Sequence, residues 1–597
     1  MPRSIRSIAP PPPILAALIV ALAALAWRVL YLTRLEGTVL AGLLEADSRV
    51  YWDWSRRILQ AGWVGDHPFF FGPLYPYSLA AAAALGLRTL EGVRVLQSLV
   101  STGTILLLTV TACRLHGVPW GLFCGLLCAG YSMWVFFDSQ VLTESLLLAL
   151  QILLLALTVG RSGNALSLRR AVTLGGIVGV MALGRATALL LLLPLGAWII
   201  EKSGWTGARR SLAAMCAASV LLAVPTSLRS LAVGGELIPY TYSFGYNLFV
   251  GNGPRSNGTF QMLEGPDIRE SRDRVEGGAL MDGRGALSRR LGRPFTPLES
   301  SQYWTQRTLR HVSENPRSTL RLLAAKAMLM MNQLEAPQVV SSRTFEAVAG
   351  PMGWPLVGGF GCVGWLGLAG LPLAMRRSQD FRLVAGMVLA VSLSMLIFFV
   401  IDRYRVHLVP ALALVAPLPI RTFVAALRAR APARICAPAL LLALSGACVF
   451  RTLVEMPSAR CAFEVHLTLA NAHLRLGCLD QAATECAKAI AIDRSTRIPG
   501  SETPNGRCAR AAVYELDGRL ALHRGDWSRA QDGLRTAMGL VPGRASIRQL
   551  LAEAIAGDGG QTPLTPYTQR TPRMRRIATT TIISPSPAMS PVESDAP

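Results

Sequence analysis

The chain has 597 residues, 51% hydrophobic and only 16% charged, with a mean hydropathy of +0.39; soluble domains carry about 25% charged residues, so the composition excludes a soluble globular enzyme and marks an integral membrane protein. The formal charge of +23 does not mark a nucleic-acid partner, because the arginines fall in short loops between apolar runs rather than along one groove. The eleven cysteines are scattered, with no C-x-x-C pair and no Cys/His cluster, so neither a zinc nor a redox site is indicated.

Taken in chain order, apolar runs near the ~20 residues needed to cross a bilayer predict about eleven spans, at 12–32, 91–113, 118–137, 141–160, 171–184, 186–201, 211–231, 351–375, 382–401, 404–425 and 435–453. The first follows Arg3 and Arg6 and runs past Ala24-Leu25-Ala26 through Trp27 to Leu32, longer than a signal peptide needs, and is predicted to stay uncleaved. With a cytoplasmic N-terminus, the short basic loops, among them Arg114, Arg161 with Arg169 and Arg170, and Arg376 with Arg377, all fall inside. That topology puts two long segments outside, 33–90 and 232–350, and an odd number of spans leaves the C-terminal part outside as well. The expected location is the inner (plasma) membrane of a bacterium, with active site and repeats on the extracytoplasmic side.

The first outer segment concentrates acids and aromatics between 45 and 76, EADSRVYWDWSRRILQAGWVGDHPFFFGPLYP. Asp47, Tyr51, Trp54/Ser55 and Ile58 recur at helical spacing and predict one face of a short helix. Periodicity alone favours an interfacial helix that Tyr and Trp anchor at headgroup depth. Asp53 lies six residues on from Asp47, around 240° along a helix, and reads as a solvated charge beside Arg56 and Arg57. Residues 74–87 are short and Ala-rich, predicting a helix at the interface that ends at Gly86.

After the last span, 464–494 and 511–542 repeat one another. Gly477, Ala482 and Ala489 stand at the same offsets as Gly525, Ala530 and Ala537. These small residues let two antiparallel helices pack closely, the tetratricopeptide pattern. The two glycines are separated by more than the usual ~34-residue period, because a Pro/Gly/Ser/Thr-rich insert lies around 495–508. Since roughly three repeats are needed for a free-standing solenoid, a partner, a third helix pair near 543–556, or docking on the membrane part must cover the open face. The predicted organisation is therefore a membrane domain over 1–454, a repeat domain over 455–558, and a disordered Thr/Ser/Pro-rich tail over 559–597.

Several segments, read in order, resemble the polytopic glycosyltransferases of the GT-C fold, in the family 39-like group that uses polyprenyl-phosphate sugars. Asp47-Ser48-x-x-Tyr51-x-x-x-Ser55 resembles that family's first-loop acidic motif, with Ser55 in place of a small Ala. Pro73-Leu74-Tyr75-Pro76 resembles its P-x-Y-P, and Arg94 to Gln97 the start of its next span. Thr143-Glu144 and Gly184-Arg185-Ala186-Thr187 resemble weaker signals, the latter departing from the commoner R-P-T. Tyr246-Asn247-x-x-x-Gly251-Asn252 opens the second outer segment, where Asn315-Pro316, Lys326 and Glu335 continue the likeness. Arg403-Tyr404-Arg405 with Pro410 resembles a late-span R-Y-R-x-x-x-x-P.

The resemblance implies an all-α polytopic membrane protein that transfers a sugar, with inversion, from a polyprenyl-phosphate donor to an acceptor. A phosphate leaving group is already anionic and needs no general acid, so one carboxylate that takes the acceptor's proton suffices. By family match Asp47 is that base. Tyr51, Tyr75, Glu144, Arg185, Asn247, Asn252, Lys326, Arg403 and Arg405 are the expected substrate-binding residues, the arginines and Lys326 because guanidinium forks and amines suit phosphate. No cofactor is called for; a divalent cation is compatible with the carboxylates, although no ligand spacing argues for a metal site. Expected partners are the donor lipid, membrane lipid, an unidentified acceptor and a protein partner on the repeats. A secondary transporter, the rival reading, would show paired repeats with broken helices or acids at mid-bilayer depth, whereas the acids here collect in the first outer loop and at span ends. A non-catalytic membrane scaffold is the other alternative, for which about eleven spans are excessive.

Overall fold

The computed structural model describes residues 13–160, 166–261, 274–275, 278–279, 284–337, 341–355, 357–451, 458–496, 501–502, 504–542 and 544–558. Arg3, Arg6, Arg161 and the tail expected to be disordered at 559–597 lie outside these. The described residues are overwhelmingly helical, apart from a two-residue ribbon pairing Arg274–Val275 with Gly278–Ala279.

Five helical runs are long and apolar enough to cross a membrane: Pro13–Glu36, Leu90–His116, Ala186–Gly234, Gln379–Ile397 and Asp402–Arg428. A bent pair, Val118–Ala129 and Ser132–Ser139, passes the same test together across a 51° bend, and Glu144–Thr158, Phe360–Met375 and Arg434–Phe450 are shorter apolar helices. The eleven runs seen in hydropathy thus become helices of unequal length. Hydropathy cannot see where an apolar run spends its residues on irregular backbone: the run at 351–375 is helical only from Phe360, and that at 141–160 only from Glu144. The 49-residue run Ala186–Gly234 far exceeds one ~20-residue crossing. It is broken at Gly204, whose φ of +66° is open to glycine, between the two spans expected there.

The bundle core is packed around the first span, the Leu90–His116 helix and the buried segment from Val406 to Leu418. Against it lie the elements that carry the acidic loop. The Asp47–Ala61 helix buries Ser48, Tyr51, Ser55 and Ile58, the face predicted from spacing, and Asp53 sits in water 3.6 Å from Arg49. The next helix, Leu74–Ala84, follows Pro73 and ends before Gly86, whose φ is +104°. Tyr51 and Tyr75 from these two helices meet edge to face at 5.5 Å. At Gly72 a β-carbon would collide with the carbonyl of Gly184, so the loop before Pro73 lies directly on the turn that presents Arg185.

The long segment between the Ala186–Gly234 and Gln379–Ile397 runs contributes Phe244–Asn252, Pro297–Glu314 and Pro316–Met331. Pro297–Glu314 starts with a reciprocal capping box, Thr296 accepting from the Glu299 N–H and Glu299 accepting from the Thr296 N–H at 3.0 Å. Five helices follow the membrane part: Ser458–Arg475, Leu479–Ser495, Pro504–Arg524, Trp527–Leu540 and Ala545–Asp558. Ala482, Ala489, Ala530 and Ala537 are all fully buried between paired helices, as the repeated offsets require. Gly477 and Gly525 turn the chain at φ of +76° and +72°. The last helix covers one end of this stack, with Gly557 against Trp527. The first covers the other by packing Ala472 and Leu469 into the membrane core.

Candidate active site

Residues 356 positions apart in sequence meet at one guanidinium. Arg403 is the second residue of a short helix, Asp402–Arg405, at the start of a long apolar run. Its Nη1 donates to Asp47 Oδ2, its Nε to Glu144 Oε1 at 2.5 Å, and its Nη2 lies 3.4 Å from Thr143 Oγ1. Glu144 opens the Glu144–Thr158 helix and receives a second cation on the same oxygen, Arg185 Nη2 at 2.7 Å. Its other oxygen is buried without a hydrogen-bond partner among the described residues. Two guanidiniums therefore flank one fully buried carboxylate, and Asp47 caps the outer side of the group.

Exposure grades these residues. Glu144 is sealed in, Arg403 is 8% exposed, and Asp47 and Arg185 are the open ends at 18% and 19%. Asp47 opens on a cavity of about 400 Å³ that also touches Ser48, Gln140, Asp402 and Arg403. Arg185 opens on a second cavity of about 440 Å³, walled by Leu147, Met181, Leu190 and Val391 with Tyr404. The Arg185 guanidinium lies 4.3 Å over the Tyr404 ring, which fixes its plane. One cavity sets Asp47, Asp402 and Arg403 against the apolar walls of Phe136, Phe137 and Leu142; the other is an apolar groove with a cation at its mouth.

Tyr51 and Tyr75 back the acid. Burial pushes the Tyr51 phenol up to about 12 and raises that of Tyr75 as well, so both remain protonated donors near neutral pH. Tyr75 donates to Gln97, whose amide holds the carbonyls of Asp138 and Gln140 at 2.8 and 2.7 Å. Asp138 in turn pairs with Arg28 at 2.7 Å and accepts from Ser101 and Ser145. Arg94 binds the Ser139 carbonyl at 2.9 Å. This network fixes the 138–143 turn that delivers Thr143 and Glu144, and gives the Arg94-to-Gln97 motif a physical reason.

The other expected site residues gather elsewhere. Lys326 is fully buried, donating to Asn252 Oδ1 at 2.8 Å and to the carbonyls of Leu396 and Phe398 at 3.0 and 2.6 Å. Desolvation lowers its pKa to about 8. Asn252 also binds the Ile397 carbonyl at 2.7 Å, and Gly251 lets its helix touch the Phe398 backbone where any β-carbon would collide. Asn247 is half-buried on the same helix. Arg405 donates to the carbonyls of Leu329 and Asn332 and to Glu335, with Phe360 4.3 Å beneath it. Asp47, Tyr51, Tyr75, Glu144, Arg185 and Arg403 thus form one cluster; Lys326, Asn252 and Arg405 tie the segment between the Ala186–Gly234 and Gln379–Ile397 runs to the ends of two apolar helices.

Sequence reasoning passed over three participants. Asp402, nearly buried beside Arg403, accepts from the Arg403 N–H at 2.6 Å and lines the Asp47 cavity; an acid at the head of an apolar run was its signal. Arg28, a charge inside the first span, marked the Asp138 network in the same way. Arg475, far down the chain, donates to the Leu44 carbonyl at 2.6 Å and lies 3.4 Å from Glu45, and nothing local to it signals this. Among the described residues, no group of three or more His, Cys, Asp or Glu is placed to hold a metal ion.

No protein-family model matches the chain, and no curated protein does. Among solved structures it is similar to ArnT from Cupriavidus metallidurans bound to undecaprenyl phosphate, with a TM-score of 0.39 and 15% identity over 92% of this chain and 78% of that one. ArnT from the same organism in the apo state gives 0.30 and 16% over 69% and 79%. The Archaeoglobus fulgidus oligosaccharyltransferase in the apo form gives 0.36 and 12% over 87% of this chain and 59% of that one. With TM-scores this low, these likenesses assign no activity to the chain.

Proposed function

We propose that the chain is a GT-C-type membrane glycosyltransferase that moves a sugar from a polyprenyl-phosphate donor to an acceptor hydroxyl, with inversion, and that the C-terminal helices are tetratricopeptide repeats. The observation that carries this reading is the convergence on Arg403 of Asp47, Glu144 and, through Glu144, Arg185. These are the residues of four separate motifs, brought together between two cavities, one bordered by acids and the other an apolar groove. A carboxylate held by an arginine at the rim of an open pocket, beside a second pocket with a cation at its mouth, is what an inverting transferase needs; a transporter has no such requirement.

The chemistry follows from the two openings. The donor's isoprenoid chain lies in the groove of Leu147, Leu190 and Val391, with its phosphate on the partly exposed Arg185 fork. The acceptor occupies the cavity at Asp47. Its hydroxyl proton passes to the Asp47 carboxylate as its oxygen bonds the anomeric carbon, and the carbon–oxygen bond to phosphate breaks on the opposite face. The leaving phosphate keeps the bond's electrons, and Arg185 stabilises that charge. Arg403 holds Asp47 at the junction, and Tyr51 and Tyr75 exclude water behind it. Both openings lie at the end of the bundle that carries the first loop, the end expected to face outward.

The test is transfer from a labelled polyprenyl-phosphate sugar in detergent, comparing wild type with Asp47→Asn. The variant keeps a hydrogen-bond partner for Arg403 but cannot take a proton, and should lose ~10²–10⁴-fold in rate. Undiminished turnover would remove Asp47 from the base role, and substrate movement across vesicles without transfer would favour a transporter.

A further inference from the structure

A third cavity, of about 660 Å³, lies along the Asp47–Ala61 helix and shares no lining residue with the two described above. Its walls are aromatic: Trp54 meets Phe69 at 5.3 Å and Tyr77 at 6.2 Å, and Phe69 meets Tyr77 at 6.1 Å. Two arginines line it. Arg57 comes from the helix, and Arg229 reaches over from Val224–Gly234 to lie 3.8 Å above the Phe69 ring while its Nε donates to the Val64 carbonyl. Nε and Nη2 of Arg57 and Nη1 of Arg229 are buried with no hydrogen-bond partner among the described residues. Guanidinium nitrogens left without partners in a protein interior are costly. Their arrangement suits an oxyanion that accepts from both forks.

The surroundings say where that anion comes from. Leu59, Trp63 and Val64, next in sequence to the lining residues Ile58, Gly62 and Gly65, and Leu228, Leu231 and Leu237, from the segment that carries Arg229, are large apolar side chains left exposed. Arg229 lies five residues before the end of the candidate span Ala186–Gly234. An apolar collar with a tryptophan at the end of a span is the pattern of the lipid headgroup layer. Asp66 and His67, 3.6 Å apart and about half exposed, are the other ionisable groups at the rim besides Tyr77, so the two guanidiniums exceed the local negative charge.

We propose that this cavity is a binding site for the phosphate headgroup of a membrane lipid, with Arg57 and Arg229 as its ligands and Trp54, Phe69 and Tyr77 as the wall against the lipid's glycerol or sugar carbons. It is separate from the groove at Arg185, and it stands whether or not the chain transfers sugar.

Native mass spectrometry of the full chain, released from nanodiscs containing phosphatidylcholine and phosphatidic acid, tests this directly. Wild type should retain phosphatidic acid over phosphatidylcholine, and Arg57→Gln/Arg229→Gln should weaken that retention by about tenfold. Arg185→Lys, in the other groove, should leave it intact. Arg57→Gln alone serves if the double variant unfolds, because Arg57 sits on the outer part of an already formed helix; it should lose a measurable part of the retention. Equal retention by wild type and the Arg57 variants overturns the site. So does displacement of phosphatidic acid by equimolar inorganic phosphate, which would mean a free-phosphate site with no lipid component.

Discussion

Arg403 and Arg405 stand two residues apart on one short helix, yet they serve opposite ends of the molecule's economy of charge. Arg403 bridges Asp47 and Glu144, carboxylates from the first loop and the head of a short apolar helix, and its cluster ends in two partly exposed groups. Arg405 is sealed in and gives its donors to Leu329 and Asn332 carbonyls and to Glu335, as Lys326 nearby gives its own to Asn252 and the Leu396 and Phe398 carbonyls. A cation committed to main-chain carbonyls stitches elements together. A cation committed to carboxylates that line cavities can share its field with a substrate. The same residue type in the same motif is thus divided between a cavity-lining ion-pair cluster and a tie to main-chain carbonyls by which acceptors the fold supplies.

Substitutions can break this contrast. Glu144→Gln should have the largest effect on stability, because it leaves Arg403 and Arg185 around a neutral amide in a buried site; a loss of ~3–5 kcal/mol is expected. Thermal unfolding in detergent measures it, and an unchanged midpoint would mean the two guanidiniums are satisfied without Glu144. Arg405→Leu should follow, at ~2–3 kcal/mol, from unpairing two carbonyls and Glu335. Its signature is selectivity: stability falls while the donor KM of the folded fraction stays at the wild-type value. A raised donor KM there would move Arg405 from architecture into the site.

Arg185→Lys should do the reverse. Arg185 is partly exposed and stacked on Tyr404, so its replacement should cost under ~1 kcal/mol of stability. A lysine keeps the charge but not the planar fork, and the donor KM should rise about tenfold, equivalent to ~1.4 kcal/mol, with kcat little changed. Steady-state kinetics at varied donor concentration separates the two parameters. A fall in kcat alone would show that Arg185 acts on the transition state rather than on the bound lipid phosphate.

Local pattern made part of this visible and left part hidden. The Asp47 helix face was legible because 3.6-residue periodicity survives burial, and the paired repeats because Gly and Ala at fixed offsets have a packing reason visible in sequence. Span count was less legible, since hydropathy averages over residues that form turns, as at 351–359 before the Phe360–Met375 helix. The partition of Arg403 from Arg405 and Lys326 was not legible at all. It depends on which carbonyls two distant segments bring alongside, and no spacing within 402–405 encodes that. Arg475 is the extreme case, its partners lying more than 400 residues upstream.

That last contact yields the smallest and most informative effect. Arg475 closes the Ser458–Arg475 helix onto the Leu44 carbonyl and Glu45, and the next residue, Ala46, holds φ at +45° and ψ at −122°, a backbone strained outside glycine that costs roughly 1–3 kcal/mol. Asp47 follows immediately. The C-terminal helices therefore touch the chain directly before this strained link to Asp47. With both partners partly exposed, Arg475→Gln should change stability by less than ~1 kcal/mol, while release of the link should lower kcat about threefold, ~0.7 kcal/mol, at constant donor KM. Ala46→Gly in the same background, which relieves the strain without restoring the contact, should not recover the rate if the contact sets the aim of Asp47. Full recovery would assign the loss to backbone strain, and an unchanged kcat in Arg475→Gln would make the repeats a neighbour of the site with no hold on it.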